Sequence, residues 1–125
     1  MKSRQGGLYN SYGVGGGERQ CLMSSVNELC SAISSMHLVR FYYEDQAPGF
    51  RVVEPHMVAY NRRNNLALSA WFLGGESASQ EGQGWREYLI DNISSLSVLQ
   101  ENFAQPRPGY KRDGGKTFHS VQCAV

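Results

Sequence analysis

The sequence has no long apolar run, and none of its hydrophobic stretches approaches the roughly 20 residues that a membrane-spanning helix needs. Its amino terminus also has no apolar block of the kind that marks a secretory signal. We therefore expect a soluble cytoplasmic protein with no membrane partner. At 125 residues, of which 41% are hydrophobic, the chain has room for one domain around one core.

Cysteine is scarce, and the three cysteines are odd in number and widely spaced: Cys21, Cys30 and Cys123. No Cys-x-x-Cys pair or histidine cluster accompanies them, so their spacing indicates neither a disulfide framework nor a zinc site. The signatures of nucleophile elbows, phosphate-binding loops and zinc proteases are also missing. We therefore expect a protein that is not an enzyme and that holds no metal and no cofactor.

Positive charge is sparse in the middle of the chain. Residues 24–103 carry five arginines against nine carboxylates, a charge of −4, whereas residues 1–23 carry +2 and residues 104–125 carry +3. Non-specific nucleic-acid binding depends on Lys and Arg that neutralise phosphates, so the acidic middle excludes a broadly basic binding face. Any anion must be held by a few placed arginines, with help from the basic tail.

The pattern of apolar residues predicts a helix followed by strands. Residues 1–23 are rich in glycine and bury little, so we predict a flexible segment there. Ser25 and Glu28 have the spacing of a capping box, which predicts the start of a helix. From Leu38 the period changes to two, which is typical of strands. Strands are predicted over residues 38–44, 50–60, 66–73, 85–91 and 93–99, with a further short strand possible in 117–125.

The order and the short connections favour a mainly β domain over residues 24–104, with one N-terminal helix and a small closed or partly closed antiparallel barrel of about five strands. Residues 105–125 are interpreted as a basic tail.

Pro55 interrupts the second strand and implies an edge position or a bulge. Trp71 and Trp85 flank a polar segment, 74–84, that reads as a long hairpin loop, so we expect the two rings to pair across the hairpin.

Several segments, taken in order, resemble the WYL domain. They are Val39-Arg40-Phe41-Tyr42-Tyr43, Arg51-Val52-Val53-Glu54-Pro55-His56, Leu66-Ala67-Leu68-Ser69-Ala70-Trp71, Arg86-Glu87-Tyr88-Leu89-Ile90-Asp91-Asn92-Ile93 and the closing Phe103. Two positions depart from the family pattern. The tripeptide that names the family falls at Leu66-Ala67-Leu68, where only the Leu matches, and Asn92 replaces a basic residue that is frequent in the last motif.

The resemblance implies an Sm-like or SH3-like β-barrel. Members of this family usually follow a winged-helix DNA-binding domain in bacterial transcription regulators, including regulators of phage defence. The resemblance therefore implies a stand-alone regulatory module that binds a nucleotide, a second messenger or a short single-stranded nucleic acid in a basic and aromatic cleft.

Five residues are candidates for that cleft: Tyr43, Arg51, His56, Ser69 and Arg86. An arginine fork binds phosphate bidentately and stays charged, a tyrosine stacks on bases, and a histidine donates near neutral pH. Each has a structural alternative, since strand arginines pair with nearby carboxylates and strand tyrosines often belong to the core. Arg51 and His56 are an odd number of residues apart, so a regular strand would direct their side chains to opposite faces of the sheet. They share a face only if a bulge at Pro55 adds one residue between them.

Two other readings stay open. An edge strand that carries Pro55, together with exposed aromatic residues, would suit a homodimer or an adaptor that docks on a DNA-binding protein. An inhibitor that displaces another WYL domain would also account for a chain without a winged helix.

The ligand hypothesis predicts that Arg51→Ala and Arg86→Ala each weaken the binding of nucleotides or single-stranded DNA. Both changes remove a charged fork that would contact phosphate. A salt titration of affinity is the measurement, with circular dichroism to verify folding. Unchanged affinity in both folded variants would contradict the hypothesis.

Overall fold

A computed structural model of the chain describes residues 22–75 and 82–125. The elements are α1 (Leu22–Ser35), β1 (His37–Tyr43), β2 (Gly49–Asn61), β3 (Leu66–Gly75), β4 (Gly84–Leu89), a 3₁₀ turn (Ile90–Asn92), β5 (Ile93–Asn102) and β6 (Phe118–Ala124). The expected mainly β domain with one helix is confirmed, and so is the additional strand in 117–125. The predicted flexible segment, except for its last two residues, and the middle of the predicted loop 74–84 lie outside the described residues.

All strand pairs are antiparallel and belong to one sheet of order β4-β3-β2-β1-β5, with β6 paired to β2 off this path. The 3₁₀ turn carries the chain from β4 at one end of the path to β5 at the other. Within the described residues no ladder joins β4 to β5, so the sheet is open and a closed barrel is not formed by strand pairing.

Helix α1 covers one face of the sheet and packs against β1, β2, β5 and β6. Its apolar residues recur at three- and four-residue intervals, and Val26, Leu29 and Ile33 are buried. The helix begins at Leu22, which is three residues before the predicted start. Ser25 therefore lies inside the first turns rather than at an N-cap, and this part of the prediction is wrong.

The helix ends at Ser35, and the next residue, Met36, has a φ of 57°, which places it in the left-handed region. Its N–H donates to the carbonyl of Ile33 (3.1 Å), and its own carbonyl accepts from the N–H of Phe103 (2.9 Å). This sharp turn directs the chain into β1 at once and fastens the end of β5 to the end of the helix.

The core lies between α1 and the sheet. The strands contribute alternate residues to it, including Phe41 and Tyr88, whose rings meet edge to face with centroids 5.0 Å apart. On β3, Leu68, Ala70 and Phe72 face this core, as the alternation predicted. The intervening β3 residues face the opposite side of the sheet, which positions the functional site described below.

Strand β2 contains a break in register around Pro55. Pro55 lies opposite Ala70 and Met57 opposite Ser69, so His56 is the extra residue of a bulge. The predicted irregularity at Pro55 is therefore confirmed. Before the bulge one edge of β2 pairs with β1, and after it the same edge pairs with β6.

A disulfide joins Cys30 of α1 to Cys123 of β6, which are 93 positions apart in sequence and have their Cα atoms 5.7 Å apart. The spacing-based expectation that no disulfide forms is therefore wrong. The spacing of cysteines in the sequence cannot show that β6 pairs with β2. That pairing brings the end of β6 beside the helix and places the two cysteines within bridging distance.

The disulfide predicts a specific count of reactive thiols. Unfolded but unreduced protein is expected to take up one iodoacetamide group, at Cys21, whereas reduced protein takes up three. Mass spectrometry after alkylation in denaturant gives the count. A Cys123→Ser variant is the control, since it should show two reactive thiols without reduction, and three adducts on unreduced wild-type protein would contradict the bond.

Candidate functional site

The face of the sheet opposite α1 carries an aromatic cluster built around His56, which is fully buried. The strands supply His56 and Trp85, and the segment after β5 supplies Phe103 and Tyr110. The imidazole stacks on Phe103 with centroids 5.1 Å apart, meets Trp85 edge to face at 4.7 Å, and lies 5.2 Å from Tyr110. The segment 103–118, named here the C-terminal strap, is thereby packed on the sheet.

An ion pair between Arg107 and the buried Glu54 fastens the C-terminal strap. Arg107 donates from Nε to Oε1 of Glu54 (2.7 Å) and from Nη2 to Oε2 (2.9 Å), and this hydrogen bonding raises the pKa of Arg107. Glu54 is only 5% exposed. The guanidinium also lies over the ring of Trp71, 4.9 Å from its centroid. A carboxylate on β2 therefore holds a strap residue that is 53 positions further along the chain.

His56 completes this anchor. Its Nε2 accepts a hydrogen bond from the backbone N–H of Arg107 (3.1 Å), which assigns the proton to Nδ1, and Nδ1 donates to the carbonyl of Glu54 (2.9 Å). Burial lowers the pKa of His56, opposed by the backbone hydrogen bond and by the charge of Glu54. The neutral imidazole is thus the form that the strap requires.

Between the strap and the sheet lies a cleft of about 670 Å³. The floor comes from three strands and the wall from the strap and the start of β6. It is lined by Met57, Ser69, Trp85, Arg86, Glu87, Gly109, Tyr110, Lys111, Asp113, Gly114, Gly115, Lys116, Thr117 and Phe118. Its volume lies within the range of about 300–1,000 Å³ that small-molecule sites occupy.

The charged residues of the cleft have distinct positions. Arg86 lies on β4, and Lys111 and Lys116 are exposed on the wall. Of the two acidic residues, Asp113 is engaged within the wall, because its Oδ1 accepts from the N–H of Gly115 (2.9 Å). Glu87 lies on the floor. Three basic groups against two carboxylates leave the cleft with a positive balance.

A turn with left-handed glycines shapes the wall. Gly114 has a φ of 92°, and a Cβ built on it would lie 2.6 Å from the carbonyl oxygen of Phe118. A side chain at this position would push the wall away from β6, so the close approach requires glycine.

A second, smaller cleft of about 380 Å³ adjoins the first. Glu87 and Thr117 line both clefts. The remaining lining residues come mainly from the β2–β3 turn: Asn61, Arg62, Arg63, Asn65 and Leu89. Arg62 donates from Nε to the carbonyl of Lys116, which ties this turn to the wall.

The structure places the five predicted site residues in different surroundings. Ser69 and Arg86 line the large cleft, whereas Tyr43, Arg51 and His56 do not. The Tyr43 hydroxyl accepts from the N–H of Leu89 (2.9 Å). The predicted role of these residues in binding a ligand is not tested by their positions and stays a prediction.

Arg51 is 4% exposed and has partners within its own hairpin. Nη1 donates to the carbonyl of Gly49 (2.8 Å), and Nη2 donates to the carbonyl of Ala47 (2.8 Å) and lies 3.4 Å from the carboxylate of Asp45. The guanidinium also lies 5.7 Å from the centroid of the Tyr43 ring. These contacts hold the β1–β2 turn in place.

Tyr88 lies among the predicted residues on the core side of the sheet. Burial raises the pKa of Tyr88 to about 12, an effect that the charges of Arg51 and Arg86 oppose. Tyr43 contacts the same ring, with centroids 5.0 Å apart. Three of the five predicted residues, Tyr43, Arg51 and Arg86, therefore lie around Tyr88.

The bulge at Pro55 does not bring Arg51 and His56 to one side of the sheet. Arg51 contacts the core residue Tyr43, whereas His56 contacts the strap on the opposite face. The extra residue of the bulge keeps Val53 and Val58 on the core side although they are five positions apart. His56 faces the strap because it follows Glu54 by two residues, and both contact Arg107.

Sequence reasoning missed the residues of the wall. Tyr110, Lys111, Lys116 and Phe118 lie in the region interpreted as a tail. Two aromatic residues within a basic segment were the available signal, since aromatic side chains seek packing partners. The expected pairing of Trp71 and Trp85 is confirmed, with ring centroids 5.7 Å apart.

No family model matches the chain, and a search of curated proteins finds no match. Among solved structures the chain is similar to Proteasome accessory factor B/C (PafBC) of Arthrobacter aurescens, with a TM-score of 0.56 and 20% sequence identity. The likeness covers 70% of this chain and 13% of the PafBC chain. PafBC contains a WYL domain, so the likeness supports a WYL-like fold. At this identity it shows the fold alone.

Two further observations concern the described residues. No group of three or more His, Cys, Asp or Glu side chains among residues 22–75 and 82–125 is placed to hold a metal ion. In the same ranges no helix has the length and apolarity to cross a membrane.

The state of His56 predicts a pH dependence of stability. Because burial lowers the pKa of His56 from its usual 6.5, the unfolded chain takes up the proton more readily. The contribution of His56 to the free energy of unfolding should therefore be complete above about pH 6.5, and it should decrease as the pH falls below that value. Urea unfolding at a series of pH values measures this.

A His56→Gln variant should be less stable above pH 7, by about 1–3 kcal/mol for the disturbed buried hydrogen bonds. It should also lose the part of the pH dependence that His56 causes. His37→Gln is the matched control and should retain the wild-type profile. Identical slopes in wild type and His56→Gln would refute the assignment.

Proposed function

We propose that this chain is a non-enzymatic regulatory module that binds a nucleotide or a short single-stranded nucleic acid in the cleft between the strap and the sheet. The observation that carries the proposal is the composition of the cleft. It combines aromatic walls, exposed lysines and a volume that suits a nucleotide.

The aromatic residues of the cleft suit a nucleobase. Trp85 and Tyr110 lie nearly parallel, with 18° between their planes and centroids 6.3 Å apart, and Phe118 forms the far wall. Trp85 is fixed in place, because its Nε1 donates to the carbonyl of Pro108 (2.8 Å). Stacking of a base on such a side chain contributes about 1–3 kcal/mol and tolerates any base.

The lysines suit phosphate. Lys111 and Lys116 lie five positions apart on the two sides of the glycine turn and both line the cleft. Their ammonium groups are flexible point charges that follow a phosphate without requiring one geometry. Arg86 also lines the cleft, but its guanidinium donates to the carbonyls of Trp85 (2.9 Å) and Gly82 (2.9 Å) and lies over the Phe72 ring. The two lysines are therefore the placed cations that an otherwise acidic domain needs to hold an anion.

The likeness to PafBC supports a regulatory role. PafBC is a regulatory transcription factor, and the matched region is 13% of its chain. By analogy we propose that ligand binding to this module controls a DNA-binding partner in transcription or phage defence. We also propose that the open sheet corresponds to the Sm-like or SH3-like barrel of WYL domains, with β4 and β5 at its seam. We also propose the cytoplasm, where nucleotides are abundant, as the compartment, which requires that the bond between Cys30 and Cys123 persist among the reductants there.

One observation favours protein interaction as a second function. Strand β5 ends the path of the sheet and carries Val98, which is 45% exposed. An edge strand with an exposed apolar side chain can pair with a second copy of the chain or with a protein partner. Light scattering with and without ligand distinguishes a constitutive dimer from a ligand-binding monomer.

The proposal predicts that Lys111→Gln and Lys116→Gln together weaken binding of a short fluorescein-labelled oligodeoxynucleotide. Loss of two phosphate contacts should make the slope of log K against log salt less negative by about 1.4, at about 0.7 for each contact on a single strand. Fluorescence anisotropy across a salt series measures both the affinity and the slope.

The charge-matched control is Arg40→Gln with Arg112→Gln, which removes two exposed positive charges that do not line the cleft. It should retain nearly the wild-type slope. If the cleft variant keeps the wild-type affinity and slope, or if the control loses as much, the lysines of the cleft do not hold the ligand.

A further inference from the structure

We infer that Glu87 makes the cleft selective for guanine, by accepting hydrogen bonds from N1–H and N2–H₂ of the base. The inference rests on the proposed function and assigns the chemical class of its ligand. The carboxylate of Glu87 lies on the floor of a cleft whose other features suit an anion, so it needs a role other than binding phosphate.

The carboxylate of Glu87 is held in one position. Its Oε2 accepts from Nδ2 of Asn61 (2.6 Å). The orientation of Asn61 is determined in turn, because its Oδ1 accepts from the backbone N–H of Arg63 and of Asn65, both at 3.0 Å. Asn61 is only 8% exposed. The turn between β2 and β3 therefore presents a fixed carboxylate to the cleft.

This carboxylate has unused acceptor capacity. An ionised carboxylate offers about four lone-pair sites, and Asn61 is its one hydrogen-bond partner among residues 22–75 and 82–125. Glu87 itself is exposed to solvent. It differs in this from Asp113, the other acidic residue of the cleft, whose carboxylate accepts from a backbone N–H of the wall.

The position of Glu87 suits the edge of a stacked base. Glu87 and Trp85 are two residues apart on β4, so both side chains project from the same face of the strand. Ser69 lies directly across from Glu87 on β3 and adds a hydroxyl to the floor. A base that lies against the aromatic wall directs its hydrogen-bonding edge to this floor, while its phosphate can reach Lys111 or Lys116.

Only guanine among the common bases offers two adjacent donors on that edge. Adenine and cytosine place a ring-nitrogen acceptor beside the amino group, and uracil and thymine flank one N–H with two carbonyls. An acceptor opposite a carboxylate is left without a donor and is repelled by the negative charge, which disfavours these bases relative to guanine. Phosphodiester oxygens are excluded from the floor by the same negative charge.

The test compares binding of GMP, IMP and AMP to the full chain by isothermal titration calorimetry. IMP has the N1–H of guanine and lacks the N2 amino group. Wild-type protein is expected to bind GMP at least about tenfold more tightly than AMP, since hydrogen bonds to a charged group contribute about 1.5–3 kcal/mol. IMP should lie between the two.

Glu87→Gln should abolish the preference for GMP over AMP and leave the fold intact, because a carboxamide oxygen still accepts from Asn61. The matched control is Glu101→Gln, which removes an exposed carboxylate of β5 outside the cleft and should keep the preference. Loss of the preference in the first variant together with its retention in the second supports the inference.

The outcomes separate this inference from the proposed function. Equal binding of GMP and AMP to wild type, or a preference that survives in Glu87→Gln, overturns the role of Glu87 and leaves nucleotide binding standing. Failure of wild type to bind any of the three nucleotides or the labelled oligonucleotide overturns the proposed function, and the inference with it.

Discussion

The structure depends on the bulge in β2, where one extra residue at His56 changes which way the strand faces. A strand of regular alternation would place Val53 and Val58 on opposite sides of the sheet, and one of them would leave the core. With the extra residue both stay against the core, while His56 lies on the other face together with Glu54. At the same point one edge of β2 stops pairing with β1 and begins to pair with β6. The packing of the core, the contact with the strap and the pairing of the last strand therefore all meet at the bulge.

The two faces of the sheet are covered by different means. The helix covers one face through apolar packing, with Leu29 and Ile33 fully buried. The strap covers the other through a mixture of stacking and charge, in which Arg107 is paired with a nearly buried Glu54. Only the carboxylate of this pair is buried, since the Arg107 side chain is 35% exposed, and the desolvation of Glu54 offsets part of the attraction. The strap is less apolar than the helix, and it leaves a cleft lined by lysines as well as by aromatic rings.

Local chemistry predicted the elements well, because alternation, a proline and helical spacing each act over a few residues. The strand bounds, the bulge at Pro55 and the pairing of Trp71 with Trp85 came from such signals. The wall of the cleft did not, since Arg107 meets a partner 53 residues away and its segment is too polar to predict as packed. The disulfide was not predicted for a similar reason, because its two cysteines are 93 positions apart in sequence. Arg51 could be read either as a ligand contact or as an ion pair, and only its burial beside Asp45 shows the partners it has in the fold.

The bond between Cys30 and Cys123 closes residues 30–123 into a covalent ring that contains every strand pair and both clefts. The strap is therefore fixed at both ends. At one end the N–H of Phe103 donates to the carbonyl of Met36, next to the helix, and at the other end β6 pairs with β2 and carries the bridge. It cannot peel away from its free end as an ordinary C-terminal tail does. Reduction of the bridge would remove this covalent closure, and the strap would then be held by the pairing of β6 with β2 and by the contacts of Arg107 with His56 and Glu54.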